Sequence, residues 1–406
     1  VKVAFCSLSE FTYVAECVDA AVALAREHDV RYLLGFRSRA AVELLESRGL
    51  SYEVVLNESP TLAGPAAARS TADLFAGYFF KQAEAVLPQL PGRLAAWGAD
   101  IVLSHLRDFA GINAAAIVGV PVVSFGSHAN PVRSEPHDPP FGSGLSRTAP
   151  ERHRRLMWEY DREFHAGLDA VYNRTFRLPY GLAPVQGSSR HTSDALILLS
   201  TIPALGNTNS PTPDRVRYVG SLFSKSQAGV SELENGLLER LANSPRPRVF
   251  VSLGTTYSAS LVHRCLGALE EFGGTVIASG TTATRSEPRF ICAPFFQNVH
   301  AVLRACDAVV TVCGGKSVMD ALAHGLPIVG LPRQGEQRDI AMALREHGAA
   351  MLPGLRKWDA RAFCSDVETV CRDDSYREAS SRLKAQVASS GGSALAASEV
   401  LRVAAP

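Results

Sequence analysis

The sequence predicts an α/β chain built from two doubly wound, largely parallel sheets, and three observations carry that prediction. Apolar runs rich in β-branched residues, such as Val309-Val310-Thr311-Val312 and Val249 to Leu253, have strand length and lack the alternation of a half-exposed sheet, as expected of strands buried on both faces. Segments with apolar residues at helical spacing alternate with these runs in both halves of the chain, the order that builds parallel sheets through crossovers. At 406 residues the chain is long for one hydrophobic core, so two domains are expected.

In chain order, Val1 to Leu8 reads as a strand, Phe11 to Tyr13 as a loop and Val14 to Glu27 as a helix, followed by strand Tyr32 to Gly35 and helix Ala40 to Arg48. Leu74 to Leu87 sets Phe75, Tyr78, Phe79, Ala83 and Val86 on one helical stripe, which reads either as a core face or as the apolar wall of a ligand site. Strand Ile101 to Ser104, helix Gly111 to Val118 and strand Val122 to Phe125 form a second βαβ unit. Ser127 to Pro150 is rich in Pro, Gly, Ser and His without a period; a loop of that length in a compact domain is usually functional or disordered. Arg152-His153-Arg154-Arg155 opens a helix with Leu156, Trp158 and Tyr160, its charges read as a solvated face. Residues 206–217, GNTNSPTPDRVR, hold turn formers and no apolar run, so they read as a linker. The expected division is 1–205 for the first domain, 206–217 for the linker, 218–388 for the second domain and 389–406 for a C-terminal helix. In the second half, strand Val249 to Leu253 runs into Gly254-Thr255-Thr256, and helix Leu261 to Phe272, strands Thr275 to Ala278 and Phe290 to Cys292, and helix Val299 to Cys306 follow.

Composition narrows the function classes. Hydrophobic residues make up 46% and charged ones 20%, an ordinary globular balance. Lys plus Arg number 41 against 40 for Asp plus Glu, so no global field draws the protein to nucleic acid or an acidic membrane. The eight cysteines are scattered, without a C-x-x-C pair or a Cys/His cluster at zinc spacing, and read as buried thiols of a reducing compartment. No signal peptide or apolar span of membrane length is apparent, which makes a cytoplasmic location the expectation.

The most informative stretch is Val309 to Gln337, VVTVCGGKSVMDALAHGLPIVGLPRQGEQ. Its strand ends in Gly314-Gly315, and Lys316 and Ser317 lead into helical spacing at Val318, Met319, Ala321 and Leu322. Such a turn offers the N-H groups and positive dipole end of a helix to an anion, and glycine lets a phosphate approach the backbone. About twenty residues later, after a second apolar strand, Glu336-Gln337 sets a carboxylate beside a carboxamide, a pair suited to reading vicinal hydroxyls. A phosphate cradle followed by a hydroxyl reader describes a nucleotide-sugar site.

These residues resemble the donor signature of family-one glycosyltransferases, especially bacterial enzymes that decorate macrolides and other natural products. Phe295-Phe296-Gln297, Asp307, Thr311, Gly314, Ser317, Asp320-Ala321-Leu322, Gly325, Pro327 and Glu336-Gln337 stand at the matching places, with Cys313 and Gly315 inside the same turn. The resemblance implies the GT-B architecture: two Rossmann-like domains facing a cleft, the first for the acceptor and the second for the nucleotide sugar, and a C-terminal helix crossing back to the first. It implies Thr255 beside the diphosphate, Phe295 or Phe296 on the nucleobase, Glu336 and Gln337 on the sugar, and no metal or cofactor. It departs from the family at Val312, where a phosphate-contacting histidine is usual, and at Lys316, read as a substitute cation.

The base that such chemistry needs is less plain. Tyr13 stands where family members carry a histidine, and His105, with Asp108 nearby, stands at the matching aspartate position. His105 oriented by Asp108 or another carboxylate, Glu10, or an acceptor needing no base are the three alternatives, with His128 and His137 as outside candidates in the long loop. Phe75, Tyr78, Phe79 and His128 are the candidate acceptor contacts. The expectation is an inverting transferase that moves a hexose or deoxyhexose from a dTDP- or UDP-sugar to a hydrophobic small-molecule acceptor. No nucleic acid or stable membrane insertion is expected and a homodimer is left open; a non-catalytic GT-B protein that binds donor is the rival reading.

Overall fold

Strands β1 (Lys2–Ser7), β2 (Asp29–Phe36), β3 (Ser51–Leu56), β4 (Ile101–His105), β5 (Val122–Gly126), β6 (Leu196–Leu199) and β7 (Val216–Tyr218) form one sheet in the order β3-β2-β1-β4-β5-β6-β7. Strands β8 (Arg248–Ser252), β9 (Thr275–Ser279), β10 (Phe290–Ala293), β11 (Ala308–Thr311), β12 (Ile328–Gly330) and β13 (Ala350–Met351) form a second in the order β10-β9-β8-β11-β12-β13. The neighbouring strands are parallel throughout. This computed structural model describes residues 1–58, 70–188, 191–223, 232–254, 259–280, 289–296, 298–333, 335–354 and 358–405.

The period-2 geometry of the strands sorts the core. In β1, Val3 and Phe5 pack on one face with Val18, Leu24 and Tyr32. Ala4 and Cys6 pack on the other with Leu33 and the aromatic stripe. Both faces are covered, which is why these strands read as unbroken apolar runs. In the second domain Ala308, Val310 and Val312 share a face with Leu331 and Phe363, while Val309 and Cys313 join the opposite face with Val318 and Met319. The last helix, Gly392–Ala404, returns to the first domain, where Ala396, Ala397 and Val400 pack among Val14, Val18 and Ala21. Its Gly392 N-H donates to the Val219 carbonyl at 2.6 Å. All eight cysteines are free.

Local differences from the sequence reading have physical causes. The helix expected over Val14 to Glu27 is two, Phe11–Ala15 and Val18–Leu24, broken where the Glu16 side chain turns into the core. The expected linker 206–217 ends inside β7, whose Val216 is buried and pairs with Ile197; the chain therefore leaves the first domain after this strand. The stripe at 71–86 contains a π-helical turn, Phe75–Phe79, between helices Thr71–Leu74 and Phe80–Val86. Such turns are rare and often lie beside functional sites.

The long loop after β5 is a strap across the two domains. Arg133 on it pairs with Asp339 of the helix Glu336–Glu346 at 2.8 Å, with side chains 1% and 0% exposed. The Gly142 and Gly144 N-H groups donate to the same carboxylate at 2.7 and 3.0 Å, and Arg147 pairs with Glu346 at 2.8 Å. Among the described residues no helix is long and apolar enough to cross a membrane.

Candidate active site

Strand order reverses between β1 and β4 in the first sheet and between β8 and β11 in the second. The loops leaving those strands are where an open α/β sheet binds ligands. In the first domain Glu10 and, on the helix Phe11–Ala15, Tyr13 follow β1, while His105 ends β4 and Arg107 and Asp108 lie in the loop after it, joined by His128 from the loop after β5. In the second, the loop after β11 carries Val312 to Gly315, and the loop after β12 leads to Glu336.

The His105 side chain is buried. Its Nε2 lies 3.2 Å from Glu16 Oε2, with side chains 1% and 2% exposed, and its Nδ1 accepts the Arg107 N-H at 3.1 Å. Both ring nitrogens are thus engaged in a buried site, and the carboxylate that orients the ring is Glu16, not Asp108. Asp108 instead caps the helix Phe109–Val118, accepting from the Ala110 and Gly111 N-H groups, each at 3.1 Å. Burial pushes its carboxyl up from 3.8 to about 6, against the pull of the Gly111 and Ala110 N-H groups and of His105. Because the folded value is the higher one, Asp108 contributes full stability below about pH 4, and that contribution is lost as pH rises through about 6. Asp108→Asn keeps an oxygen for the cap and cannot ionise. It is expected to match the parent near pH 4 and to be more stable at pH 8, by at most about 3 kcal/mol, in urea unfolding at the two pH values.

Tyr13 stacks against His105 with ring centroids 4.6 Å apart. Burial first, and the Glu10 charge second, push its hydroxyl well above the usual tyrosine range, so it is a hydrogen-bond donor and not a base. Glu10 Oε1 accepts from the Tyr78 hydroxyl and from Gln82 Nε2, the latter at 3.1 Å. Its Oε2 is buried without a partner among the described residues. The aromatic stripe is mostly packing: Phe75, Tyr78 and Phe79 are 5%, 9% and 5% exposed within a cluster holding Phe80, Phe109, Tyr172 and Phe176. A cavity of about 10 Å³ lies behind Gln82 and Asp108, room for a single water.

In the second domain, Gly314 opens the helix Gly315–Ala323 without a side-chain cap, so its first N-H groups face the turn. Cys313 holds φ +61°, a conformation rare outside glycine, and its thiol is buried and pushed up to about 12. A Cβ on Gly315 would strike the Ser127 carbonyl, so the glycine is what lets the two domains close here. Val312 packs into the core beside Val310 and Leu331 and cannot reach a phosphate. Lys316 does not reach the turn either: its ammonium runs one turn onward to Asp320 and lies 5.3 Å from the Phe223 ring. Ser317 sits half-buried in the first turn. Phe295 is 68% exposed, while Phe296 is buried against Phe250, which separates two residues that sequence alone left equivalent. Gln337 is buried and its Oε1 accepts the Arg333 N-H at 3.2 Å. Thr255 and Gln297 lie outside the described residues. Among the described residues no cluster of three or more His, Cys, Asp or Glu is arranged to hold a metal ion.

The two halves meet at Glu336. Arg107 Nη2 donates to its Oε2 at 2.9 Å, and His128 Nε2 lies 3.9 Å from its Oε1. The Arg107 guanidinium also lies over the Phe75 ring at 4.9 Å. Burial, then Arg107 and His105, push His128 well below the usual histidine range, so it is neutral.

This geometry can be set beside known proteins. Residues 264–401 match the family described as Erythromycin biosynthesis protein CIII-like, C-terminal domain. The demethyllactenocin mycarosyltransferase of Streptomyces fradiae is 30% identical over 161 residues, 37% of this chain and 34% of that protein. The match thus spans about a third of that relative. The 4'-demethylrebeccamycin synthase of Lentzea aerocolonigenes is 26% identical over 397 residues, 90% of each chain. In shape, the chain matches the glycotransferase of kitacinnamycin with TM-score 0.76 and 16% identity, over 100% of this chain and 99% of that one. Over its whole length the chain has the GT-B fold of glycosyltransferases. The glycosyltransferase VinC, solved in complex with dTDP, matches over 100% of this chain and 99% of its own, with TM-score 0.67 and 18% identity.

In this GT-B protein the residues that sequence reading missed are those whose meaning depends on a partner far along the chain. Glu16, Gln82, Arg107, Arg133 and Asp339 fall in this group, each contacting a site element from another segment. One signal was available: Val312 has the parity of Val310, which already placed it in the core face of its strand.

Proposed function

We propose that the chain transfers a hexose or deoxyhexose, with inversion, from a dTDP- or UDP-linked sugar to a hydroxyl of a hydrophobic small molecule in natural-product biosynthesis. The observation that carries this reading is the meeting of the two switch-point regions across Glu336, with the uncapped helix start at Gly314-Gly315 beside it. The relatives' names support sugar transfer in antibiotic pathways, and the dTDP complex of VinC supports a nucleoside diphosphate donor.

The diphosphate sits at the helix start, where N-H groups and the dipole stabilise the charge that develops on departure. Glu336 reads the sugar hydroxyls, and Phe295 stacks on the base. Glu10 takes the role first given to His105, because one of its oxygens is anchored and the other is unengaged. The acceptor O-H bond breaks with its proton going to Glu10 Oε2, and the acceptor oxygen bonds the anomeric carbon. The anomeric C-O bond to phosphate breaks, its electron pair leaving on the nucleoside diphosphate. Attack opposite the leaving group inverts the anomeric centre. Domain closure keeps water from the sugar.

The test is calorimetry and slow-hydrolysis screening against dTDP-, UDP- and GDP-sugars. Selective binding of one nucleotide sugar with slow sugar release supports the reading; binding without release, with acceptors present too, favours a non-catalytic donor-binding protein. Glu336→Ala is expected to weaken the nucleotide sugar more than the free nucleoside diphosphate, and equal losses would remove it as the sugar reader. Phe295→Ala is expected to weaken the nucleoside diphosphate about tenfold by loss of stacking. Lys316→Ala is expected to change it by less than about threefold, since Asp320 holds that ammonium.

A further inference from the structure

We infer that Tyr78 and Gln82 are positioning residues that hold Glu10 so that its Oε2 faces the acceptor hydroxyl, an assignment that rests on the reading of Glu10 as base. Glu10 precedes the short helix Phe11–Ala15 at the N-cap place yet makes no side-chain cap bond, so its carboxylate is not consumed by the local backbone. It is held from 68 and 72 residues away, by the Tyr78 hydroxyl and Gln82 Nε2, both on Oε1. The π-helical turn Phe75–Phe79 sets their register. Tyr78 lies inside it and Gln82 in the α-helix that follows, and the two converge on one oxygen while Phe79 and Ala83 stay in the core. Gln82 is 5% exposed, and a carboxamide that buried is expected to be placed by its partners.

Tyr78 stays protonated and donating, because burial first and the Glu10 charge second push its hydroxyl well above the usual range. Two donors on one oxygen leave a carboxylate with a single direction for the other. That other oxygen is buried without a partner among the described residues, a costly state that points to a missing hydrogen-bond donor. A donor hydroxyl of the acceptor fills that role, and it would then give up its proton there. Tyr13 and Asp108 both feel the Glu10 charge, and Arg107, Glu336 and Glu16 act on Tyr13 beside it; the variants below leave all five in place.

The experiment uses the full chain labelled with ¹³C at the glutamate side-chain carboxyl carbon, with the Glu10 resonance assigned by its loss in Glu10→Gln. In Tyr78→Phe and Gln82→Leu, each of which keeps the packing volume, loss of a donor to the ionised form is expected to move the Glu10 titration midpoint upward. The double variant is expected to move it furthest. Unchanged midpoints in folded variants, checked by thermal unfolding, would overturn the positioning role. With the nucleotide sugar and acceptor identified by screening, the same variants are expected to lower kcat about tenfold or more with donor KM unchanged. A loss confined to KM would also overturn the assignment. The underlying reading fails separately: if Glu10→Gln turns over at the parent rate, Glu10 is not the base, whatever the titration shows.

Discussion

Glu10→Gln is expected to lower kcat for an alcohol acceptor by about a thousandfold while leaving affinity for the nucleotide sugar within about twofold, as read by steady-state kinetics and calorimetry. The substitution is nearly isosteric, and a carboxamide oxygen can still accept from Tyr78 and Gln82, so the local packing survives and only proton acceptance is lost. An acidic acceptor such as a phenol is expected to suffer far less, because it needs little help to ionise. That contrast is what a structural role for Glu10 would not produce. His105→Ala supplies the comparison: with Glu16 left buried and unpaired beside it, the expected result is lower stability in urea unfolding rather than a selective loss of turnover. If His105→Ala loses turnover at unchanged stability while Glu10→Gln keeps it, the two roles are reversed.

Asp339→Ala is expected to destabilise the protein by about 3–5 kcal/mol, because it leaves the Arg133 guanidinium buried against an apolar gap. The carboxylate also accepts from the Gly142 and Gly144 N-H groups, so three donors lose their acceptor at once. Urea unfolding measures the loss. Replacing both charges, Arg133→Leu with Asp339→Leu, is expected to recover much of it, since an apolar pair does not carry the desolvation penalty of a lone charge. The consequence reaches the site through the strap. Gly142 packs on Gly335 and Gly144 on Arg338, the residues on either side of Glu336 and Gln337, so freeing the strap is expected to raise donor KM as well. A single variant with full stability and parent KM would show that the strap does not hold the Glu336 end of the helix in place.

The α/β class, the two parallel sheets and the glycine turn that opens a helix were legible in the sequence because each is written locally. Unbroken β-branched runs mark strands covered on both faces, and the Gly314-Gly315 turn before a helix needs no distant partner to be recognised. Edge strands were harder. β3, Ser51–Leu56, is only partly covered and carries Ser51 and Glu53 among its apolar residues, and β7 hides in a segment rich in Pro and charge. The aromatic stripe illustrates a different limit. Helical spacing fixes which residues share a face, but not whether that face meets a ligand or a neighbouring core, and here the core takes most of it.

Side-chain partnership was decided only by the tertiary structure. From sequence, His105 and Asp108 three residues apart look like a pair, and Lys316 beside a glycine turn looks like a phosphate cation. Folded, Asp108 accepts from the backbone donors at the start of its own helix, and Lys316 takes the Asp320 carboxylate one turn along. Glu16 then falls to His105, and Glu10 to Tyr78 and Gln82. The sequence by itself determined the scaffold and the loops that carry the chemistry, because periodicity and turn residues act within a few positions. Which side chain pairs with which was decided by contacts between segments up to hundreds of residues apart, where no local pattern reaches.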